Sequence, residues 1–286
     1  MRQPRGAHSD EEESMMRADH PKGTPDLPAG SFTWQTQLGA SERQQQEHYD
    51  NIAADYEAHY SDEWSLEYRR RFIYDPMFEG LELSGMKVLD AMCGSGQTTS
   101  YLLGRGARVT GLDISNEVVE TFRARWAEAD VVTRSLLDSG LPDSSFDYVV
   151  IIGGLHHIHP NVKQAMLEIH RLLRPGGHLC FFEPHSGSLP DIVRRVWYRF
   201  DRLFEDNEAS IDVTRLQRDF GDRFELKKAK YLGNIAFLLV LNSLIFRIPV
   251  GSKKYFSPAL MKVEALISKL QTKLTSCFVV SQWQKR

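Results

Sequence analysis

Cysteine is scarce. Cys93, Cys180 and Cys277 are the three in 286 residues. They are odd in number and far apart, which excludes a disulfide framework and a paired Cys-x-x-Cys metal site and fits a reducing compartment. Long apolar runs are missing as well: the most apolar window, residues 235–248, is broken by Asn242, Ser243 and Arg247, and it falls short of the roughly 20 residues that span a bilayer. The opening segment MRQPRGAHSDEEE has none of the apolar stretch of a signal peptide, so a cytoplasmic protein is expected. Nor is there an excess of positive charge. With 35 Lys and Arg against 38 Asp and Glu, the formal charge is −3, and no nucleic-acid partner is expected. That balance is uneven along the chain, because residues 221–286 carry 12 basic and 3 acidic side chains, a local +9.

What is there reads as alternation. Residues 1–40 combine an acidic run with four prolines and little periodicity, the composition of a disordered tail. From 41 to 80, aromatic and small residues recur at helical steps (Tyr49, Ile52, Ala53, Tyr56, Tyr60), which predicts helices that could act as a lid. Beyond Met86, short apolar runs alternate with helical stretches, the signal of a parallel sheet with helices on both faces. The expected strands are 87–90, 108–112, 130–135, 146–152 and 178–183, with helices at 97–105, 116–127 and 162–173. Pro175-Gly176-Gly177 is expected to close the last of these helices. Later segments predict helices at 190–204 and 212–220 and strands at 223–231 and 277–283.

Four segments carry chemistry. VLDAMCGSGQTT, residues 88–99, runs from a buried strand through Gly94 and Gly96 into a helix start, where free N–H groups and close backbone approach suit a nucleotide-like ligand. It is neither the dinucleotide fingerprint, since Thr99 stands where the third glycine belongs, nor a P-loop. Asp113 ends the next strand, where a carboxylate can accept both hydroxyls of a ribose or cap the following helix. Asp138 follows strand three, placed to meet an adenine amino group. GGLHHIH follows strand four and brings imidazoles, which titrate near neutral pH, beside the strand ends.

In this order, and with LLRPGGHLCFFEP at 172–184, these segments resemble the class I S-adenosylmethionine (SAM)-dependent methyltransferases, in particular the ubiquinone/menaquinone-biosynthesis-like group with small-molecule and lipid substrates. The resemblance covers about residues 45–185. It implies an α/β, doubly wound, mostly parallel seven-stranded sheet with an N-terminal helical lid; where the family usually has a short connection between its last two strands, residues 232–275 make a helical insertion before the last strand. It implies SAM as cofactor and S-adenosyl-L-homocysteine as product. Asp90 and the loop from Gly94 to Gly96 would contact the amino-acid end of SAM, Asp113 the ribose, and Leu137 with Asp138 the adenine. Ala91, Cys93, Ile114 and Gly153 complete the implied set, with Tyr49 and Tyr56 closing over the cofactor. One departure stands out: Met92 occupies the place of the family's usual first glycine, so the loop should be bulkier there.

Methyl transfer chiefly needs alignment and a dry pocket, with a base only where the nucleophile must lose a proton. His156 and His157 are the candidates for that base, the alternative being that they pack the loop. His-His-x-His also invites a metal reading, but no acidic partner shares the turn and none is expected. Arg69-Arg70-Arg71 could reach an anionic acceptor or the SAM carboxylate through bidentate contacts, but it reads as a mostly solvated helix face, since successive helical residues point apart. The expected organisation is a tail (1–40), a lid (41–80), a SAM-binding core (81–231), an apolar and basic insertion (232–275) and a final strand (276–286). In the insertion, residues 258–274 place Leu260, Val263, Leu266, Ile267, Leu270 and Leu274 on one side and Lys262, Lys269 and Lys273 away from it. Three readings stay open for it: a peripheral membrane contact, the wall of an apolar acceptor pocket, or a homodimer contact. The expected function is methyl transfer to a largely apolar small-molecule or lipid-linked acceptor, at oxygen, with carbon methylation or a non-methylating SAM-binding scaffold as alternatives.

Overall fold

The computed structural model describes Gly39 and residues 57–198 and 210–286. The rest of the expected tail, Tyr49 and Tyr56 of the lid, and the end of the 190–204 helix lie outside the described residues.

The apolar runs form seven strands in one sheet: β1 (Lys87–Ala91), β2 (Arg108–Asp113), β3 (Asp130–Thr133), β4 (Phe146–Ile152), β5 (Leu173–Pro184), β6 (Phe224–Leu232) and β7 (Phe278–Lys285). Their order is β3-β2-β1-β4-β5-β7-β6, parallel except for β7, which pairs antiparallel with both β5 and β6. Central strands are buried on both faces, so they read as continuous apolar runs rather than alternating ones. Side chains still alternate in direction. Leu89, Val149, Ile151 and Phe181 pack with Met166, Ile169 and Trp283 on one face. Val88, Val150, Cys180 and Phe182 pack with Tyr68, Ile73, Phe78, Val240 and Met261 on the other.

Seven helices flank the sheet among the described residues. The first, α1 (Glu63–Arg69), is capped by Asp62, whose carboxylate accepts from the Trp64 and Ser65 N–H groups, and it runs on through a π turn (Arg70–Tyr74) to Met77. Then come α2 (Gln97–Gly104), α3 (Asn116–Arg125, capped by Ser115), α4 (Val162–Leu172), α5 (Leu189–Tyr198), α6 (Val213–Phe220, capped by Asp212) and α7 (Lys253–Ile267).

Two expectations need correcting. The helix α4 ends at Leu172, before Pro175, and β5 begins at once. Pro175-Gly176-Gly177 lies inside that strand as an irregularity where the pairing with β4 jumps from Phe146↔Leu173 to Tyr148↔His178, and Gly176 supplies the left-handed φ of +77°. In the insertion, α7 stops at Ile267 instead of running to Leu274, and it buries Lys253, Ser257, Met261 and Glu264 rather than its leucines.

The chain order reverses beside β1, with β2 and β3 on one side and β4 and β5 on the other. In open sheets of this kind ligands bind beyond the carboxyl ends of the strands at that point.

Candidate active site

A cavity of about 370 Å³ lies at that reversal, within the roughly 300–1,000 Å³ typical of small-ligand pockets. The loop after β1 forms its floor. Gly96 takes φ +90°, and a Cβ there would stand 2.1 Å from the Trp126 indole nitrogen, which donates to the Ser95 carbonyl at 3.0 Å. Only glycine fits. Met92 adopts φ +58°, the conformation a glycine would take without strain, at a cost on the order of 1–2 kcal/mol. Its side chain is accommodated because residue 154 is also glycine; a Cβ there would meet the Met92 sulfur at 2.7 Å. The bulk expected of Met92 is therefore real, and Gly154 absorbs it.

Asp113 braces this loop. Its two carboxylate oxygens accept from the Gly94 N–H (3.0 Å) and the Ser115 N–H (3.1 Å), and the residue lines the cavity beside Ile114. Cys93 and Gly94 also line it, as does Gly153 on the β4 side. Burial, together with Asp113 and Asp90, pushes the Cys93 thiol up, so it stays protonated and serves as packing. Asp90 and Ala91 are buried behind the loop rather than in its wall. Asp90 accepts from Thr99 Oγ1 at 2.7 Å, and burial pushes its carboxyl up to about 7. Leu137 packs on the core, and Asp138 lies on an exposed turn. Ser135 and Leu136, two positions earlier, stand in the cavity wall in their place.

The arginine run divides. Arg70 is exposed and paired with Glu67 and Asp75, and Arg71 is exposed too. Arg69 is buried, lines the cavity and lies 5.6 Å from the centre of the Tyr60 ring. The solvated-face reading therefore fails for one residue of the three. Consecutive helical residues diverge, and one direction had to point inward.

On the opposite wall, a short 3₁₀ turn (Leu155–Ile158) follows Gly153 and Gly154. His157 lines the cavity, while His156 stands behind it with ring centres 3.8 Å apart. Glu183, at the end of β5, holds this turn. Its fully buried carboxylate accepts from the Gly154 N–H (2.9 Å) and the Leu155 N–H (2.7 Å), and pairs with His156 Nδ1 at 2.7 Å. Burial pushes Glu183 up to about 7 against the pull of those N–H groups. Sequence reasoning passed over Glu183. The available signal was a lone carboxylate closing the apolar strand LCFFE, since a charge is almost never fully buried without a partner. Among the described residues no three His, Cys, Asp or Glu side chains come together to hold a metal ion.

Residues 89–181 match the family model of a methyltransferase domain. Over these residues the chain resembles the SAM-dependent methyltransferases. The cofactor of this domain is S-adenosylmethionine. A demethylmenaquinone methyltransferase of Listeria monocytogenes is 33% identical over 114 residues, 37% of this chain and 48% of that protein. One from Staphylococcus aureus is 35% identical over 112 residues, 37% of this chain and 46% of that protein. The chain thus spans about half the length of these relatives. A SAM-dependent methyltransferase structure from Archaeoglobus fulgidus superimposes with TM-score 0.54 at 17% identity, covering 81% of this chain and 98% of that one, a likeness of fold.

The residues present fit the cofactor. Gly94, left-handed at φ +54°, lines the cavity with backbone alone, Gly96 is set against Trp126 rather than in the wall, and Arg69 and Asp113 both face the cavity, a guanidinium suited to a carboxylate and a carboxylate suited to ribose hydroxyls. No helix among the described residues is long and apolar enough to cross a membrane.

Proposed function

We propose that the protein transfers a methyl group from SAM to a hydroxyl of a largely apolar small-molecule or lipid-linked acceptor. The observation that carries this reading is the cavity wall facing the glycine loop. It consists of Ile152, Gly153, Gly154 and Ile158, with His157 as its titratable side chain. Such a wall suits an apolar acceptor with one ionisable hydroxyl.

When bound, SAM supplies an electrophilic methyl on a sulfonium and leaves as S-adenosyl-L-homocysteine. Asp113 accepts the ribose hydroxyls and Arg69 pairs with the amino-acid carboxylate. His157 takes the proton of the acceptor hydroxyl, so that oxygen attacks as an anion. Glu183 orients His156 through Nδ1, and the His156 ring supports that of His157. Apolar side chains around the cavity keep out water, which strengthens each of these electrostatic contacts. A general base of this kind is worth about 10²–10⁴-fold in rate.

A second reading, methylation at carbon, is favoured by the relatives named demethylmenaquinone methyltransferases. In that case His157 would remove the ring proton after the new bond forms. Incubation with methyl-labelled SAM and extracts of lipids, quinones and polyketides, followed by NMR of the labelled product, tests both. An O-methyl resonance supports the first reading and a ring C-methyl the second. Tight SAM binding with no labelled product would sink both and leave a SAM-binding scaffold.

A further inference from the structure

The insertion leaves the sheet at the cavity end. Leu232, the last residue of β6, pairs with Phe278, the first of β7, and Phe278 pairs with Pro184 at the carboxyl end of β5. Two helices at this end are inverted relative to an ordinary surface helix, which buries its apolar stripe and exposes its charges. On α7 the inward face holds Lys253 and Glu264, both fully buried. Lys253 Nζ donates to the His59 carbonyl and Ser65 Oγ (2.8 Å each) and pairs with Asp62, while Glu264 accepts from the Tyr68 hydroxyl at 2.8 Å. The outward side carries Tyr255 (79% exposed), Val263 and Leu266 (65%). On α5 the buried polar group is Asp191, paired with Arg194, and the exposed side is aliphatic: Leu189, Ile192, Val193 (64%) and Val196.

The two helices are joined. The Leu189 N–H donates to the Leu274 carbonyl (2.9 Å) and Gln271 Nε2 to the Gly233 carbonyl (2.6 Å), which fastens the 268–276 loop with its exposed Leu270 (82%) and Leu274 between them. Exposed charge within the insertion itself has one sign. Within 232–275, Arg247, Lys254, Lys262, Lys269 and Lys273 are exposed, and the segment's sole carboxylate, Glu264, is buried. Aliphatic side chains ringed by cations, with a tyrosine at the edge, match an anionic lipid surface in both polarity and charge.

We propose that the outer faces of α5 and α7, with the 268–276 loop between them, dock the protein on an anionic bilayer at the carboxyl end of the sheet, the end at which its cavity lies. Leu266, Leu270, Ile192 and Val193 enter the acyl boundary, and the lysines meet the headgroups. This goes beyond the methyl-transfer reading and can fail independently of it, because vesicles without any acceptor report docking alone.

The test is co-sedimentation of the full chain with phosphatidylglycerol vesicles and with phosphatidylcholine vesicles, at low and at high salt. Binding to phosphatidylglycerol should exceed binding to phosphatidylcholine and weaken as salt rises. Replacing Leu266→Glu with Leu270→Glu, or Ile192→Glu with Val193→Glu, should lower the partition coefficient by about tenfold or more, given the acyl contact and the like-charge repulsion introduced. SAM affinity by calorimetry should be unaltered, which establishes that the variants fold. The proposal is overturned if the wild-type chain stays in the supernatant with phosphatidylglycerol at low salt, or if the folded variants bind as well as it does. It is also overturned if the wild-type chain self-associates without lipid while the variants sediment as monomers, which would make this face an interface between two copies.

Discussion

The loop after β1 and the insertion after β6 leave the same end of the sheet, yet they use buried polar groups in opposite ways. In the loop, Asp113 and Arg69 sit in a cavity wall, where a ligand can meet them. In the insertion, Lys253 and Glu264 are consumed internally. Lys253 ties α7 to Asp62, Ser65 and His59, and Glu264 collects Tyr68 and the Asn234 and Ala236 N–H groups. The first arrangement presents polar groups to a cavity, whereas the second uses them to hold one element against another and turns aliphatic side chains outward. Polar burial alone therefore does not mark a site; what matters is whether the group also faces a cavity.

Breaking the insertion's internal pairing should give the largest effect. Glu264→Ala leaves a buried tyrosine hydroxyl and two backbone N–H groups without an acceptor, and the expected destabilisation is about 3–5 kcal/mol, read by urea unfolding. A loss below about 1 kcal/mol would mean that water replaces the carboxylate and that α7 is less firmly held than its burial implies. On the catalytic side, His157→Ala should reduce kcat by at least about 100-fold while SAM affinity stays within about twofold. Equal losses in both would make the histidine a wall of the cofactor site instead of a base.

The same contrast explains what the sequence disclosed. The strands and the glycine loop were legible because backbone demands constrain residue types: buried strands need apolar runs, and the position of Gly96 beneath Trp126 admits no Cβ. Glu183 was not legible as a site residue, nor was it legible which arginine of 69–71 faces the cavity, since both depend on which way a side chain points in three dimensions. The amphipathic pattern of 258–274 was legible: Lys262, Lys269 and Lys273 are exposed, and so are Val263, Leu266, Leu270 and Leu274. Periodicity locates a stripe without saying what covers it, and here α1 and its cap supply Asp62 and Tyr68, which draw Lys253 and Glu264 inward. Asp138 illustrates a limit of two positions, because Ser135 and Leu136 occupy the wall that the resemblance assigned to Leu137 and Asp138.

A smaller effect sharpens the cofactor half. Asp113→Ala removes charge-assisted acceptors for the ribose and should weaken SAM by about 2–3 kcal/mol in calorimetry. Asp113 also accepts the Gly94 N–H, so Asp113→Asn is the useful companion. It keeps an acceptor for the loop while losing the charge, and affinity midway between Ala and wild type would separate bracing from ligand contact.

A further effect concerns Asp90 and shows itself only with pH. Burial pushes its carboxyl up to about 7, with Asp113 adding to the rise and the Thr99 bond and Arg69 opposing it, whereas in the unfolded chain an aspartate titrates near 3.9. The folded form thus holds this proton more tightly. Its contribution to stability is fully present below about pH 4 and is lost as pH rises through about 7. Asp90→Asn should remove that dependence, flattening the fall in unfolding free energy between pH 5 and 8 by up to about 1.4 kcal/mol per pH unit, one proton's worth. Glu183, also raised to about 7, continues to titrate in the variant, so a residual slope of the same sign should persist. If Asp90→Asn leaves the slope untouched, Asp90 is ionised in the folded protein. Its charge would then be held by Arg69 across the cavity floor, and that guanidinium would no longer be at the disposal of the cofactor carboxylate.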